Sequence, residues 1–295
     1  MQLPDLHRHL DGSIRPATLS AFARRAGTAV PADLAFSAGM GLEAALSRFA
    51  FTLSLLQQPE AVERVAAEIC EDAAAEGVTT LEIRFAPQLH RGGDIDTIID
   101  AALSGVAGRA GLILCGLYGE PPALLEALVS AARPGVVGLD LAGGPAPGNA
   151  WSMSDYVPAF QAAARRGLGR TVHAGEGRPP AEIRFAVEHL GAQRIGHGTT
   201  LLDDPALPAW LRAREVTIEA CPTSNWHTGV IASVDDHPLP QWLAAGLRVC
   251  INTDNTLLSA VDATEEHRRA AAIPAMTPAL LQRAIDHGHA AAFGR

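Results

Sequence analysis

The chain has 295 residues and is 48% hydrophobic, which is enough for a sizeable core and within the range of a single α/β barrel. Its formal net charge is −9, from 23 basic and 32 acidic residues, and it has no basic tract, so the composition argues against nucleic-acid binding. All 23 basic residues are arginine. The absence of lysine excludes Schiff-base catalysis, anchoring of pyridoxal phosphate, a Walker-type phosphate loop and a carboxylated lysine bridging two metal ions.

The four cysteines, Cys70, Cys115, Cys221 and Cys250, are spread through the chain with no CxxC pair. Three of them lie in apolar, strand-like runs, so we predict buried free thiols. The opening segment MQLPDLHRH has no charged stretch followed by an apolar one, and no run approaches the roughly 18 apolar residues of a membrane span. We therefore expect a cytoplasmic protein that does not insert into a membrane.

Eight short β-rich runs alternate with Ala- and Leu-rich segments of helical period. The predicted strands are Gln2–Leu10, Thr79–Ala86, Leu112–Leu117, Val136–Leu141, Arg170–His173, Arg194–His197, Val216–Ala220 and Arg248–Asn252. The clearest predicted helices between them are Glu60–Glu76, Asp96–Arg109, Pro122–Ala132 and Met153–Arg166.

This alternation predicts an α/β fold with a closed parallel (β/α)₈ TIM barrel, and a doubly wound open sheet is the alternative. The stretch Arg15–Pro59 between the first two strands is too long for a simple connection, so we expect it to form extra helices over one end of the barrel. No linker divides the chain, and we interpret residues 1–295 as a single domain.

Ionisable side chains gather at or just after the ends of four predicted strands: His7, His9, His173, Glu176, His197 and Asp254. The carboxyl ends of barrel strands converge on one face, where active sites lie. We therefore expect these side chains to meet there. Burying them without a metal ion or a reaction would cost several kcal/mol.

His7 and His9 are two residues apart, and since side chains alternate along a strand both point to the same side. Such a pair is a natural half of a metal site, to which His173 and Asp254 would add the remaining ligands. Imidazole nitrogen and carboxylate oxygen suit Zn²⁺. The remaining histidines lack partner motifs and are interpreted as structural or solvent-facing: His90, His189, His227, His237, His267, His287 and His289.

Seven motifs occur in order along nearly the whole chain: LPDLHRHLDGS, EIRFAPQLH, GLDLAGG, VHAGE, RIGHGT, EACPTSN and NTDN. Together they resemble the adenosine deaminase family within the amidohydrolase superfamily. One motif alone would be weak, because HxH is common, but the ordered set is specific. The resemblance implies a zinc-dependent hydrolase with one Zn²⁺ per chain that acts on a small purine nucleoside.

The resemblance also assigns roles to individual residues. It makes His7, His9, His173 and Asp254 the zinc ligands, Glu176 the proton donor and His197 the catalytic histidine, with Asp254 assisting catalysis. It makes His9, Asp11, Gly143 and Asn255 substrate-binding residues, with Asp11 at the ribose and the Gly143 N–H at the purine.

The implied reaction is hydrolytic deamination of adenosine or 2′-deoxyadenosine to inosine or 2′-deoxyinosine plus ammonia. The metal lowers the pKa of water towards about 7. His197 is expected to take the water's proton and hold the hydroxide, while Glu176 protonates N1 of the purine.

Three departures from the family pattern bear on the choice of nucleoside. Asn255 stands where an acidic residue is common, and its amide can donate to N7 at any pH. Pro145 follows GLDLAGG where an acidic residue is usual, and CGLYGEPP lacks an arginine commonly found at the third strand. These departures leave the metal chemistry untouched.

Three alternatives stay open at this point. The substrate could be another 6-aminopurine, either an aminodeoxyfutalosine-like nucleoside or free adenine, although Asp11 favours a ribosyl substrate. A two-metal amidohydrolase is disfavoured, because there is no lysine and Leu141–Ala142 offers no carboxylate. A catalytically inactive purine-binding module would be expected to lack a ligand or the proton donor. The sequence does not fix the oligomeric state.

Overall fold

The computed structural model of the protein describes residues 2–144 and 148–294, and Pro145 lies outside them. Eight strands are present: β1 Leu3–His9, β2 Val78–Phe85, β3 Gly111–Leu117, β4 Val136–Ala142, β5 Gly169–Ala174, β6 Arg194–His197, β7 Thr217–Ala220 and β8 Arg248–Ile251. Each predicted strand coincides with one of these to within a residue or two at either end.

The strands pair in parallel in their order along the chain, from β1 to β8. A bridge between Arg8 and Asp254 then joins the last strand to the first. The Asp254 N–H donates to the His7 carbonyl at 2.8 Å, and the His9 N–H donates to the Asp254 carbonyl at 2.8 Å. The predicted barrel is therefore confirmed over the open sheet, and its closure joins three predicted ligands through their main chain.

Twelve α-helices lie in the described residues: α1 Pro16–Arg25, α2 Leu42–Leu55, α3 Pro59–Ala75, α4 Ile95–Val106, α5 Pro122–Ala131, α6 Val157–Arg165, α7 Pro180–Glu188, α8 Leu207–Ala213, α9 Pro222–His227, α10 Leu239–Ala244, α11 Ala263–Ala272 and α12 Pro278–Ala291. The extra helices predicted between the first two strands are confirmed as α1 and α2.

Two predicted helix boundaries were wrong. The segment Met153–Arg166 begins as a 3₁₀ turn over Met153–Tyr156, and the α-helix starts only at Val157, where Pro158 suits the first turn because it needs no N–H. The segment Asp96–Arg109 stops being helical at Val106, because Ala107 turns into the left-handed region with φ 46°.

The core lies mainly between the barrel wall and the surrounding helices, and it is apolar. Inside the barrel the strands bury charge instead: Glu82, Arg84, Asp140, Arg194 and Glu219 are each at most 2% exposed. Arg194 pairs with Glu82 and Glu219, so charges in this interior are neutralised in place.

All four cysteines are buried and free, as predicted. Within the two ranges that the structure describes, no helix combines the length and the apolarity needed to cross a membrane.

Candidate metal centre and active site

Four side chains converge at the carboxyl ends of β1, β5 and β8. The Asp254 carboxylate oxygen Oδ1 is 3.6 Å from His7 Nε2 and 3.4 Å from His9 Nε2. His9 Nε2 is 3.3 Å from His173 Nε2. The structure thus brings together all four residues that the sequence selected as metal ligands, which come from positions almost 250 residues apart.

The donor set fits a divalent cation. His7 Nε2 is buried and has no hydrogen-bond partner in the described protein, which leaves a lone pair directed into the cluster. The Asp254 carboxylate oxygen lies 3.6 Å from it, and His7, His173 and His197 each offer a ring nitrogen within 4.8 Å of the other two, close enough to share an ion. Three nitrogens and one oxygen form a ligand set typical of Zn²⁺, although it accepts other divalent metals.

Two buried carboxylates orient His7 and His173. His7 Nδ1–H donates to Glu219 Oε2 at 2.7 Å, and His173 Nδ1–H donates to Asp140 Oδ1 at 3.2 Å. Because each carboxylate accepts a hydrogen bond from Nδ1–H, the proton of the neutral ring stays on Nδ1 and Nε2 keeps its lone pair for a metal. The sequence analysis assigned no role to Asp140 or Glu219.

The guanidinium of Arg84, on β2, joins these two carboxylates. It donates to Asp140 Oδ2 at 2.9 Å, to Glu219 Oε2 at 2.8 Å and to the Leu6 carbonyl at 2.7 Å. Burial alone would raise the pKa of Asp140, but the charges of His173 and Arg84 hold it below its usual range. Both carboxylates thereby have a positively charged partner.

Glu176 and His197 lie beside the cluster. Glu176 Oε2 is 3.8 Å from His197 Nε2, and both side chains are buried. Burial raises the pKa of Glu176 and lowers the pKa of His197 to about 3. The site therefore holds a neutral imidazole next to a carboxyl group that keeps its proton more readily than an exposed glutamate.

His197 and Asp254 both adopt left-handed backbone conformations, with φ 67° and φ 60°. Neither is a glycine, so each conformation carries a cost of roughly 1–3 kcal/mol. Strain of this kind concentrates at functional sites, where the surrounding structure enforces it. Here the closing bridge of the barrel enforces it at Asp254.

A cavity of about 350 Å³ opens above the cluster, a size within the usual range for small-ligand sites. The helix α2 covers it with apolar side chains, among them Leu42, Leu46 and Phe49. Its polar lining includes His9, His173 and Asp254 of the cluster together with Glu176 and His197. The cavity is therefore apolar on one side and reactive on the other.

The three further predicted substrate residues all line this cavity. Asp11 Oδ1 and Asn255 Oδ1 are buried without a partner in the described protein, and burial raises the pKa of Asp11 to about 7. A side chain at Gly12 would collide with the Asn255 amide, which explains a glycine there. Gly143 has φ 72°, and nothing lies where its Cβ would be, so its main chain faces the cavity openly.

Two buried residues missed by the sequence analysis lie behind His197. Asn225, in α9, has its side-chain amide 3.0 Å from His197 Nδ1, and His237 Nε2 is 3.3 Å from the same amide. Asn225 lies within the motif EACPTSN, and that was the signal that could have identified it. His237, for which a structural role was predicted, connects to the site through this amide.

Comparison with known proteins agrees with this geometry. The sequence matches the adenosine deaminase family over residues 3–294. The adenosine deaminase of Enterococcus faecalis is 36% identical over 293 residues, covering 92% of this chain and 86% of that protein. The structure of an adenine deaminase from Arthrobacter aurescens has a TM-score of 0.89 at 26% identity, covering 99% of this chain and 94% of that one. The N6-methyl-AMP deaminase of Arabidopsis thaliana has a TM-score of 0.87 at 26% identity, covering 100% and 93%.

Replacing Asp140 by Asn should weaken Zn²⁺ binding by roughly 10- to 100-fold, because His173 loses the carboxylate that makes its Nε2 a strong ligand. Competition with a chromogenic chelator measures the affinity. Glu82→Gln is the matched control, since it neutralises another buried carboxylate of the barrel, one that pairs with Arg194. Equal losses in the two variants would contradict a specific role for Asp140.

Proposed function

We propose that this chain, which belongs to the adenosine deaminase family, hydrolytically deaminates a 6-aminopurine nucleoside, with adenosine or 2′-deoxyadenosine as substrate. The observation that carries the proposal is the cluster of three imidazoles and a carboxylate with the buried Glu176 beside it, on the floor of an apolar cavity. The residues of the cluster would hold a metal ion that activates water, and Glu176 would supply the proton, which are the two elements that deamination requires.

The proposed cofactor is one Zn²⁺ per chain, held by His7, His9, His173 and Asp254. The orphaned lone pair on His7 Nε2 and the carboxylates behind His7 and His173 support this assignment. When bound, Zn²⁺ would lower the pKa of a water molecule towards about 7 and so provide a nucleophile at neutral pH.

Glu176 acts as the general acid in this proposal. Its raised pKa keeps a proton on the carboxyl group, which it gives to N1 of the purine. That proton makes C6 electrophilic. The water's oxygen then bonds to C6. Of the water's two protons, one returns to Glu176 and the other passes to the 6-amino group, so the C6–N bond breaks, ammonia leaves and a 6-oxo group takes its place. His197 and Asp254 hold the oxygen on its way to C6.

Three groups recognise the substrate. The Gly143 N–H and the Asn255 amide donate hydrogen bonds to the purine, and Asp11 accepts hydrogen bonds from the ribose hydroxyls. The unpartnered oxygen of Asp11 supports that assignment, because a buried acceptor without a donor is costly until a ligand supplies one. His9 contributes to the same wall of the cavity.

The similar solved structures include enzymes for two other kinds of substrate, a free base and a nucleotide. The adenine deaminase of Arthrobacter acts on a base without ribose, and the Arabidopsis enzyme acts on a nucleotide. Among the described residues that line the cavity, none is an arginine, and the chain has no lysine. A phosphate would therefore find no cation in the lining itself, although Arg178 lies beside the lining residues Gly144 and Tyr118. Asp11 favours a ribosyl group over free adenine.

We further propose that residues 1–295 act as one catalytic domain in the cytoplasm. A continuous core around a single barrel supports this. The partner is a small purine nucleoside rather than a nucleic acid or a membrane, and the oligomeric state is left open.

Glu176→Gln should lower kcat on adenosine by roughly 10²- to 10⁴-fold, because the amide has no proton to give to N1. The fall in absorbance near ~265 nm as the amino group is lost follows the reaction. Glu188→Gln, at an exposed position in α7, is the control and should keep wild-type turnover. Unchanged turnover in Glu176→Gln would contradict its role as proton donor.

Asp11→Ala should raise KM for adenosine by roughly 10- to 100-fold, because the ribose loses a charge-assisted hydrogen bond. The same change should leave any turnover of free adenine unaffected. Measuring both substrates with both proteins decides between nucleoside and base. Higher wild-type kcat/KM on adenine than on adenosine would overturn the choice of a nucleoside.

A further inference from the structure

A chain of buried side chains runs from His197 away from the cavity to the start of α10. Asn225 Nδ2 is 3.0 Å from His197 Nδ1, and Asn225 Oδ1 is 3.3 Å from His237 Nε2. His237 Nδ1 in turn is 3.1 Å from the main-chain nitrogen of Leu239. All four residues are at most 2% exposed, so water does not compete for these hydrogen bonds.

The direction of the last hydrogen bond is fixed by chemistry. A peptide N–H can only donate, and Leu239 is the first residue of α10, where no helical carbonyl is available to accept its hydrogen. His237 Nδ1 must therefore be the acceptor. Burial lowers the pKa of His237 to about 3, so its imidazole is neutral and carries its single proton on Nε2.

That proton fixes the orientation of the Asn225 amide. His237 Nε2–H donates to a carbonyl oxygen, so Oδ1 faces His237 and the NH₂ group faces His197. The reversed amide would set two donors against each other at His237. The NH₂ group then donates to His197 Nδ1, which must accept, and the neutral His197 carries its proton on Nε2.

We propose that Asn225 and His237 are positioning residues that hold His197 in the Nε2–H tautomer. This inference rests on the proposed function, and it revises the expectation that His197 takes the water's proton. A nitrogen that already bears hydrogen has no lone pair to accept another. His197 instead donates a hydrogen bond to the attacking oxygen. One proton of the water returns to Glu176, which has given its own proton to N1, and the other passes by way of the Asp254 carboxylate to the leaving amine.

The tautomer can be observed without turnover. Long-range ¹H–¹⁵N spectra of metal-free protein labelled on histidine distinguish a protonated ring nitrogen from one that only accepts, and loss of signals in His197→Gln assigns the residue. We expect His197 Nδ1 to be unprotonated and Nε2 to bear the hydrogen. A wild-type spectrum with the proton on Nδ1 would overturn the proposal.

Two variants separate positioning from packing. Asn225→Asp offers only acceptors, so it should move the proton of His197 to Nδ1 and lower kcat about 100-fold, with KM within about twofold. His237→Gln should retain both properties of the wild type, because an amide can accept from Leu239 and donate to Asn225, whereas His237→Leu should lose them. His267→Leu, at a buried histidine that bonds the Ala263 carbonyl, is the packing control and should keep the wild-type kcat.

The outcomes distinguish this inference from the proposed function. An unchanged ¹⁵N pattern in Asn225→Asp would overturn the inference even if the wild type deaminates adenosine. A wild type that deaminates no 6-aminopurine, while its His197 shows the Nε2–H pattern and Asn225→Asp reverses it, would contradict the proposed function and leave the tautomer assignment standing.

Discussion

The guanidinium of Arg84 lies between two carboxylates inside the barrel, and the geometry of the metal cluster depends on that contact. Asp140 and Glu219 each accept a hydrogen bond from Nδ1–H of one ligand histidine, in a place where burial opposes charge. Arg84 supplies compensating charge to both, and Arg194 pairs with Glu219 as well. Removal of Arg84 would leave Asp140 without its arginine partner, and breaking a buried ion pair in this way costs several kcal/mol. The ring orientations of His7 and His173 are therefore fixed by these carboxylates before any metal binds.

The rest of the fold places the metal cluster at one end of the barrel. Closure of the barrel joins Arg8 to Asp254 and holds Asp254 in a left-handed conformation, which directs its carboxylate at the histidines of β1. The extra helix α2 then covers the cluster with apolar side chains. A water-poor cavity strengthens every charge interaction inside it. The same burial raises the pKa of Glu176 and keeps His197 neutral.

The sequence predicted the barrel and the meeting of distant residues, because hydrophobic periodicity reports strands and the carboxyl ends of barrel strands share one face. It did not predict the partners behind the site. Glu82, Arg84, Asp140 and Glu219 are all charges in apolar strands, and which of them pair depends on strand register and on spacing across the barrel. The tautomer of His197 could not be predicted from the sequence either. It depends on the direction of a hydrogen bond that begins at a main-chain N–H some 40 residues later in the chain.

Anomalous diffraction at the zinc edge from crystals of the zinc-loaded protein would locate the metal. We expect one peak per chain, bonded to Nε2 of His7, His9 and His173 and to the Asp254 carboxylate, with Arg84 still between Asp140 and Glu219. A peak bonded to Nδ1 of His7 or His173 would contradict this expectation, because the carboxylates could not then hold those nitrogens. A protein that takes up no zinc at these residues would contradict it completely.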